Sequence, residues 1–238
     1  LQDEIFPDKE HFGRIFRNNA RMSAMGITQI AAVMGACVAG GAYLPIMSDE
    51  TLMVTDNGSI FLAGPYLVKA AIGEDIDAET LGGAITHTEI SGIADYRFNN
   101  EQSCMDHIKK MMSLLGKKPD AGFDRIKSVQ PAKDPTELYG IFPFDGKPYD
   151  VLDIIERITD ADSTGNSSFE QYKPDYGKTI VCGYCRIDGW AVGIVANQRK
   201  IVKNRKGEMQ MGGVIYNDSA DKAARFILNC NQKKIPLI

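Results

Sequence analysis

The sequence predicts an α/β protein, because short apolar runs of strand character alternate with segments of helical periodicity along most of its 238 residues. Turn signals separate these segments. The apolar run 27–34 is followed by the glycine-rich segment 35–45, and the pair Asp188-Gly189 lies between two further apolar runs. The first arrangement is typical of a strand that turns into a helix, and the second of a two-residue β-hairpin.

The first half of the chain is expected to begin with a helix that Asp8 caps and Gly26 ends. Further along, turn residues predict a hairpin at Asp56-Asn57-Gly58, and apolar periodicity predicts a long amphipathic helix that Gly116 ends. The expected elements are a helix over 8–25, a strand over 27–34, paired strands over 51–54 and 59–62, short helices over 67–72 and 77–81, and a helix over 100–115.

Residues 117–145 change character, since they hold four of the prolines and show little periodicity. Such composition is typical of a connection between domains. We therefore expect an N-terminal domain over 1–117, a linker over 118–147 and the start of a second domain over 148–238. The elements expected in the second domain are a helix over 149–160, strands over 179–187 and 190–197, a helix capped by Asp218 that runs to Lys233, and a strand that starts at Pro236.

Composition excludes several classes of partner. The net charge is −4, which gives no basic surface for nucleic acid, and no run approaches the roughly 20 apolar residues of a membrane span. The five cysteines are odd in number and widely spaced, which suits a reducing compartment rather than a disulfide framework. Cys182-Gly-Tyr-Cys185 is a lone C-x-x-C inside an apolar run, so it supplies two of the four ligands that zinc needs. No metal is expected.

The glycine-rich segment 35–45 is the main candidate site. A strand, a turn of small residues and a helix start point free backbone N–H groups at one spot, where the helix dipole favours negative charge. The segment lacks the Lys-Ser/Thr ending of a P-loop and does not fit G-x-G-x-x-G. Two interpretations stay open: an oxyanion hole for a thioester enolate, or a tight turn whose small residues serve packing.

The sequence offers few acid–base groups. There are three histidines, His11, His87 and His107, and none stands in a Ser-His-Asp order or an H-E-x-x-H motif. His87 is either a general base or a structural hydrogen-bond partner in a loop. Lys69 is either a contact to a phosphate or a solvated side chain, and the basic segment 199–211 is either a phosphate contact or the solvated tip of a hairpin.

Several blocks of the sequence, in order, resemble the carboxyltransferase (β) subunits of biotin-dependent acyl-CoA carboxylases. The methylcrotonoyl-CoA carboxylase type is the most similar, judged by Ala39-Gly-Gly-Ala-Tyr43 and Ala63-Gly-Pro65. The blocks that carry the resemblance are 12–16, 35–45, 61–71, 81–87, 91–95, 137–141, 149–151, 176–179, 192–197 and 235–237. Together they cover nearly the whole chain.

This resemblance implies a crotonase-like ββα superhelix, with most of an N-terminal half and the start of a second, similar half. It implies transfer of a carboxyl group from carboxybiotin to an acyl-CoA through an enolate, and no protein base. The backbone N–H groups of Ala39 and Gly40 would hold the thioester oxygen, and Gly41, Ala42 and Tyr43 would contact the substrate. The implied partners are the acyl-CoA, a biotinylated carrier subunit, and further copies of the chain through β-subunit dimers.

The substrate and the class of protein stay open at this point. The acyl group is expected to be 3-methylcrotonoyl, with propionyl, acetyl and geranyl as alternatives. A crotonase-like CoA hydratase or hydrolase and a non-catalytic CoA-binding module are the other hypotheses. The chain is expected to be an internal fragment, inactive alone, with the biotin-side oxyanion hole outside it. Its expected location is the bacterial cytoplasm, or the mitochondrial matrix in a eukaryote.

Overall fold

A computed structural model describes residues 12–115, 124–143 and 146–238. Asp8, His11 and Gly116 lie outside these ranges, so the expectations that rest on them are not addressed further. The chain divides into two compact units, Leu1–Asp106 and His107–Ile238. They are called the first unit and the second unit. No helix in the described ranges combines the length and the apolar character of a bilayer-spanning segment.

The first unit alternates short strands with short helices, as the sequence predicts. Its helices are α1 (Phe12–Ala24), α2 (Gly40–Ile46), α3 (Pro65–Ile72), α4 (Ala78–Gly82), a π-helical turn (Thr86–Ile90) and the start of α5 (Glu101–Leu115), and its strands are β1 (Ile30–Val33), β2 (Ala36–Val38), β3 (Glu50–Val54), β4 (Ser59–Phe61) and β5 (Tyr96–Phe98). Gly26 has a φ of 69° after α1, which agrees with its predicted role as a helix stop.

The strands of the first unit form two separate parallel sheets. One has the order β1-β3-β5 and the other pairs β2 with β4. The predicted hairpin between residues 51–54 and 59–62 is therefore wrong, because β3 and β4 belong to different sheets. The turn itself is present, since the Gly58 N–H donates to the Val54 carbonyl oxygen at 2.7 Å. It redirects the chain from one sheet to the other.

The position of Gly58 explains why the turn looked like a hairpin signal. A Cβ on Gly58 would lie 2.3 Å from the Val33 carbonyl oxygen, which no side chain allows. The glycine is required by this close approach to β1 and not by a two-residue hairpin. A local signal of this kind cannot say which strand becomes the partner, because partner choice is a tertiary property.

Small and branched apolar side chains fill the core of the first unit between the two sheets and their helices. The cluster consists of Val33, Ala42, Met53, Ile60, Ala84 and Ala94, with Cys37 packed against it. A buried carboxylate ties the sheet to a loop: the Thr51 N–H donates to Asp95 at 2.6 Å, and the Asp95 N–H donates to the Thr51 carbonyl oxygen at 2.8 Å. This pair of bonds satisfies polar groups that water cannot reach.

The second unit is built on an antiparallel sheet. Its helices are the end of α5, a 3-10 turn (Pro135–Glu137), α6 (Leu138–Ile141), α7 (Val151–Ile158) and α8 (Asn217–Lys233), and its strands are β6 (Glu170–Tyr172), β7 (Ile180–Ile187), β8 (Trp190–Asn197), β9 (Val202–Lys203) and β10 (Met209–Gln210). The order β6-β7-β8 confirms the predicted hairpin at Asp188-Gly189. The basic segment forms the small β9–β10 hairpin.

A buried carboxylate fixes the β7–β8 turn. Asp160 is 4% exposed and accepts hydrogen bonds from the Asp188 N–H at 2.8 Å and the Gly189 N–H at 2.7 Å. Asp188 and Gly189 both have positive φ, so their N–H groups turn away from the β7–β8 ladder and need another hydrogen-bond acceptor. Asp160 supplies the missing acceptors from the end of α7.

The described part of the predicted linker is paired with the second unit. The Ile126 N–H donates to the Gly189 carbonyl oxygen at 3.0 Å, and the Ala161 N–H donates to the Gln130 carbonyl oxygen at 3.1 Å. The prolines of this segment indicate irregular backbone, which still forms backbone hydrogen bonds with the β7–β8 turn and with Ala161. The domain boundaries expected from composition stay a prediction.

Helix α8 begins two residues earlier than the sequence pattern indicates. Its N-cap is Tyr216, which forms a capping box with Ser219, so Asp218 lies in the first turn and is not the cap. The Asp218 carboxylate still interacts favourably with the helix dipole at that position. At the other end, the Ile238 N–H donates to the Gly193 carbonyl oxygen at 2.9 Å, which begins a parallel partner for β8 as expected for residues after Pro236.

Lys222 is buried on α8 with no acceptor for its ammonium group. The side chain is 0% exposed, and Nζ has no hydrogen-bond partner among the described residues. Burial lowers the pKa of Lys222 from 10.5 to about 8, against a smaller opposing effect of Cys182. A charged amine without a partner in such a place destabilises the folded state.

We expect Lys222→Met to stabilise the protein at pH 7 by about 2–3 kcal/mol. Below pH 8 the lysine is charged in the folded and the unfolded state, so the full cost of burying the charge is present. Between pH 8 and pH 10.5 the folded state loses the proton first, and the cost fades. Urea unfolding of the two proteins across this pH range measures the difference.

The exposed Lys206 provides the matched control, because Lys206→Met removes the same charge from the tip of a hairpin. Its effect on the free energy of unfolding should stay within about 0.5 kcal/mol at every pH. A Lys222→Met variant that is less stable than the parent at pH 7 would show that Lys222 has a partner that stabilises its charge.

Candidate functional site

The segment 35–45 forms a strand, a single strained residue and a helix. Ala36–Val38 is the strand β2, which the sequence interpretation had taken as part of the turn. Helix α2 follows after one residue and starts at Gly40. The expected order of strand, glycine-rich turn and helix is therefore present, but the turn is reduced to Ala39. Parallel pairing of β2 with β4 places Val38 opposite Phe61 and fixes this junction.

Ala39 has an unusual backbone conformation. Its φ is 51° and its ψ is −118°, outside the regions that an alanine prefers. Such strain costs on the order of 1–3 kcal/mol and persists only where neighbouring contacts impose it. The contact here is a hydrogen bond from the Ala39 N–H to the Phe61 carbonyl oxygen at 3.1 Å. The expectation that this amide is unpaired is wrong.

The two amides that follow are available. Within the described ranges, no acceptor lies at hydrogen-bond distance from the N–H of Gly40 or Gly41, whereas the Ala42 N–H donates to the Ala39 carbonyl oxygen at 3.0 Å. Gly40 and Gly41 are the first residues of α2, where N–H groups lack intrahelical partners. The free pair is thus shifted by one residue from the predicted Ala39 and Gly40.

The free amides lie at the surface of the first unit and not inside it. Gly41 is exposed and Gly40 is half-buried. A Cβ built on Gly41 would meet no atom within 4 Å, so the space on that side of the residue is open.

The remaining predicted contact residues differ in exposure. Ala42 is 1% exposed and belongs to the core, so its side chain does not reach the surface of the site. Tyr43 is 49% exposed, and its ring stands edge-on to Phe16 of α1, with centroids 6.2 Å apart. This aromatic pair supplies an apolar wall on the side of α2 that carries Tyr43.

The far end of α2 is also held. The Thr51 hydroxyl donates to the Pro45 carbonyl oxygen at 2.6 Å, and the Asp95 carboxylate accepts from the Thr51 N–H. Asp95 therefore anchors a loop to β3 and, through Thr51, fixes the last turn of the helix. This link joins residues 44 positions apart in the sequence, so it is a long-range contact.

Both ring nitrogens of His87 have partners. Nε2 lies 2.7 Å from the Ile60 carbonyl oxygen, and Nδ1 lies 2.9 Å from the Ser91 hydroxyl. The ring is 9% exposed. The structural interpretation of His87 is therefore supported, because a general base needs a free nitrogen that reaches the substrate.

The two basic regions that the sequence offered as phosphate contacts each have described contacts of their own. Lys69 forms a solvent-exposed ion pair with Asp75 at 2.6 Å, which agrees with a solvated lysine. In the second unit, Asn204 and Glu208 close the tip of the β9–β10 hairpin through a hydrogen bond between the side chains at 2.7 Å. The described contacts give this basic segment a hairpin structure and assign it no ligand.

Cys182 and Cys185 cannot act together. They lie three residues apart on β7, and side chains at that spacing on a strand point to opposite faces of the sheet. Both thiols are buried, and burial raises the pKa of Cys182 to about 11 and that of Cys185 to about 12. In the part of the chain that the structure describes, no group of His, Cys, Asp and Glu side chains is arranged to hold a metal.

Comparison with known proteins identifies the family. A family model described as the carboxyl transferase domain matches residues 1–238. The chain belongs to the carboxyl transferase domain family. It is 44% identical over 238 residues to the biotin-dependent 3-methylcrotonyl-coenzyme A carboxylase beta1 subunit of Mycobacterium tuberculosis. The aligned region covers 100% of this chain and 41% of that protein.

Two further likenesses agree with this family. The chain is 45% identical over 244 residues to the mitochondrial methylcrotonoyl-CoA carboxylase beta chain of Arabidopsis thaliana, of which it covers 38%. It matches the transcarboxylase 12S structure with hydrolysed methylmalonyl-coenzyme A bound at a TM-score of 0.77 and 33% identity, over 95% of this chain and 42% of that chain. The crotonase-like fold that the resemblance implied is confirmed.

The chain of the carboxyl transferase domain family thus spans about two fifths of the length of the relatives it matches. All of the residues around the glycine-rich turn lie within the matched range. What sequence reasoning missed is the Phe61 acceptor, which comes from a strand 22 residues away that pairs with β2. The block 61–71 was already part of the resemblance, but nothing in a single sequence joins it to Ala39.

Burial predicts how the cysteines of this domain react. After a short exposure of the folded protein to iodoacetamide at pH 8, we expect label on the half-buried Cys37 well before Cys182 or Cys185. The reason is that the thiolate is the reactive form, and both strand thiols are buried and protonated. Mass spectrometry of peptides measures the order. Rapid labelling of Cys185 without unfolding would contradict this account of the strand.

Proposed function

We propose that this chain is part of the carboxyltransferase component of a biotin-dependent acyl-CoA carboxylase, and that the N–H groups of Gly40 and Gly41 hold the thioester oxygen of the acyl-CoA. The observation that carries the proposal is the pair of amides at the start of α2 that have no acceptor among the described residues, with open space at the Cβ position of Gly41. Family membership and the relatives' printed names support the reaction class.

The amides act on the oxygen where charge develops. Removal of a proton from the acyl group turns the thioester carbonyl into an enolate, whose oxygen carries negative charge. Two N–H donors and the N-terminal end of the helix dipole stabilise that oxygen more than they stabilise the neutral carbonyl. Donors that are already oriented require no reorganisation energy during the reaction.

The strain at Ala39 supports this role. A strained residue directly before the two free amides aims them differently from an ordinary helix start, and the Phe61 hydrogen bond maintains that aim. Strained backbone is common at sites where it orients a reacting group. Ala39 therefore acts as the residue that orients the donors, and is not itself a donor.

Among the residues that the structure describes, no side chain at the turn is placed to remove the proton. The ring of His87 is committed to Ile60 and Ser91, and the aromatic wall of Tyr43 and Phe16 carries no base. Carboxybiotin, brought by a partner as the second substrate, supplies the carboxyl group and the proton acceptor. The work of this chain is to bind the thioester, orient it and stabilise its charge.

The proposed acyl-CoA substrate is 3-methylcrotonoyl-CoA. The support is the naming of the relatives of Mycobacterium tuberculosis and Arabidopsis thaliana, together with the tyrosine that follows the glycine pair. Tyr43 and Phe16 offer flat apolar surface suited to a short unsaturated acyl chain. The proposed partners are a biotin-carrying subunit and further copies of this chain, and the proposed location follows the relatives, cytoplasmic in a bacterium and mitochondrial in a eukaryote.

We expect Gly41→Val in the full-length protein to abolish carboxyl transfer while the fold is retained. A Cβ at Gly41 meets no protein atom within 4 Å, and in the proposed site the valine side chain would crowd the thioester oxygen. Because the lost interaction is strongest in the transition state, kcat should fall about a hundredfold or more, with a smaller rise in KM. Transfer from carboxybiotin to acyl-CoA measures both constants.

Gly140→Val is the matched control, since Gly140 is also helical and a Cβ there also meets nothing within 4 Å. It should leave kcat unchanged, and circular dichroism should show the same fold for both variants. If Gly41→Val keeps full activity, the amides of α2 are not the oxyanion donors.

A further inference from the structure

His87 lies on an unusual turn of backbone. Thr86–Ile90 is a π-helical turn, closed by a hydrogen bond from the Ser91 N–H to the Thr86 carbonyl oxygen at 3.1 Å. Turns of this kind are rare and often occur at functional sites. Here the turn directs a buried imidazole at the backbone of β4, one residue from the acceptor that restrains Ala39.

The partners of the ring fix its protonation pattern. A carbonyl oxygen only accepts, so Nε2 carries a hydrogen and donates it to the Ile60 carbonyl oxygen at 2.7 Å. In the neutral ring Nδ1 is then an acceptor, and the Ser91 hydroxyl donates to it at 2.9 Å. Ser91 thereby holds the tautomer that His87 needs to bind β4.

A continuous set of hydrogen bonds connects this ring to the free amides. His87 binds the Ile60 carbonyl oxygen, the next residue Phe61 accepts from the Ala39 N–H, and Gly40 follows Ala39. Helix α4 also lies close to the same carbonyl, because a Cβ on Gly82 would be 2.2 Å from the Ile60 oxygen. The glycine leaves the space through which the imidazole reaches Ile60.

We propose that His87 is a positioning residue for the Gly40 and Gly41 donors. By fixing the Ile60 carbonyl, it fixes the orientation of the adjoining Phe61 peptide, whose oxygen holds the strained Ala39. This inference rests on the proposed function, and it assigns to His87 a role that is neither a base nor a general contribution to the core. Loss of the Nε2 bond leaves the donors present but misdirected.

Two substitutions of similar size separate this role from simple packing. In His87→Gln the amide nitrogen reaches the place of Nε2 and can donate to Ile60, whereas in His87→Asn the shorter amide reaches the place of Nδ1 and keeps only the contact with Ser91. In the full-length protein with its biotin-carrying partner, we expect kcat of the Asn variant to fall about tenfold to a hundredfold with KM changed less than about threefold. The Gln variant should stay within about threefold of the parent in both constants.

A spectroscopic measurement reads the donors directly. N–H donors polarise the thioester and lower its C=O stretching frequency, so infrared difference spectra of a bound ¹³C-labelled acyl-CoA thioester report their alignment. We expect the shift to be retained in His87→Gln and to be lost for the most part in His87→Asn. A role confined to stability would move neither this frequency nor the ratio of kcat to KM.

Thr88→Val is the matched control on the same turn. Thr88 is as deeply buried, and its hydroxyl donates to the Ala84 carbonyl oxygen at 2.8 Å, which is not in β4, so its loss should lower the melting temperature and leave the carbonyl frequency unchanged. If the parent protein shows turnover and a shifted carbonyl but His87→Asn equals it in both, the positioning role is overturned. If the parent shows neither, the proposed function itself fails.

Discussion

The hydrogen bond from the Ala39 amide to the Phe61 carbonyl oxygen is the contact on which the candidate site depends. It is the last bond of the parallel pairing between β2 and β4, and it falls on a residue whose backbone would otherwise relax. Without it, the chain would be free to enter α2 through an ordinary extended residue, and the first amides of the helix would point elsewhere. The site is thus a consequence of how two short strands end, and its donors are backbone groups that most side-chain substitutions leave in place.

The first unit secures this junction with buried polar contacts on both sides of α2. His87 holds β4 before the helix, and Asp95 holds β3 and Thr51 after it. His87 Nε2 and one carboxylate oxygen of Asp95 bind backbone groups, and hydrogen bonds of this kind let buried polar side chains add rigidity. Lys222 in the second unit is the counterexample, since its amine meets no acceptor among the described residues.

Local signals in the sequence predicted the elements better than their partners. Gly26 and the Asp188-Gly189 turn mark a helix end and a hairpin through backbone conformations that few residues adopt, and the structure agrees. The periodicity of residues 101–115 marks a helix, which is also present. The turn at Asp56-Asn57-Gly58 gave the same kind of signal, yet β3 and β4 pair with strands far along the chain. The shift of the free amides from Ala39 to Gly41 has the same cause, because the Phe61 acceptor is brought by tertiary pairing that a single sequence does not encode locally.

An oxyanion hole made from backbone suits a chain with so few acid–base side chains. A histidine base would have to be exposed to the substrate and free to exchange its proton, whereas His87 is enclosed and bound at both nitrogens. In the proposed function, fixed backbone dipoles stabilise charge on oxygen, and the second substrate takes the proton. Under that proposal, substrate preference depends on the surfaces near the amides, and Tyr43 of the Tyr43–Phe16 edge contact lies on the same helix. Changes in the acyl group accepted should therefore map to that aromatic wall, while changes in the glycines should affect every acyl-CoA alike.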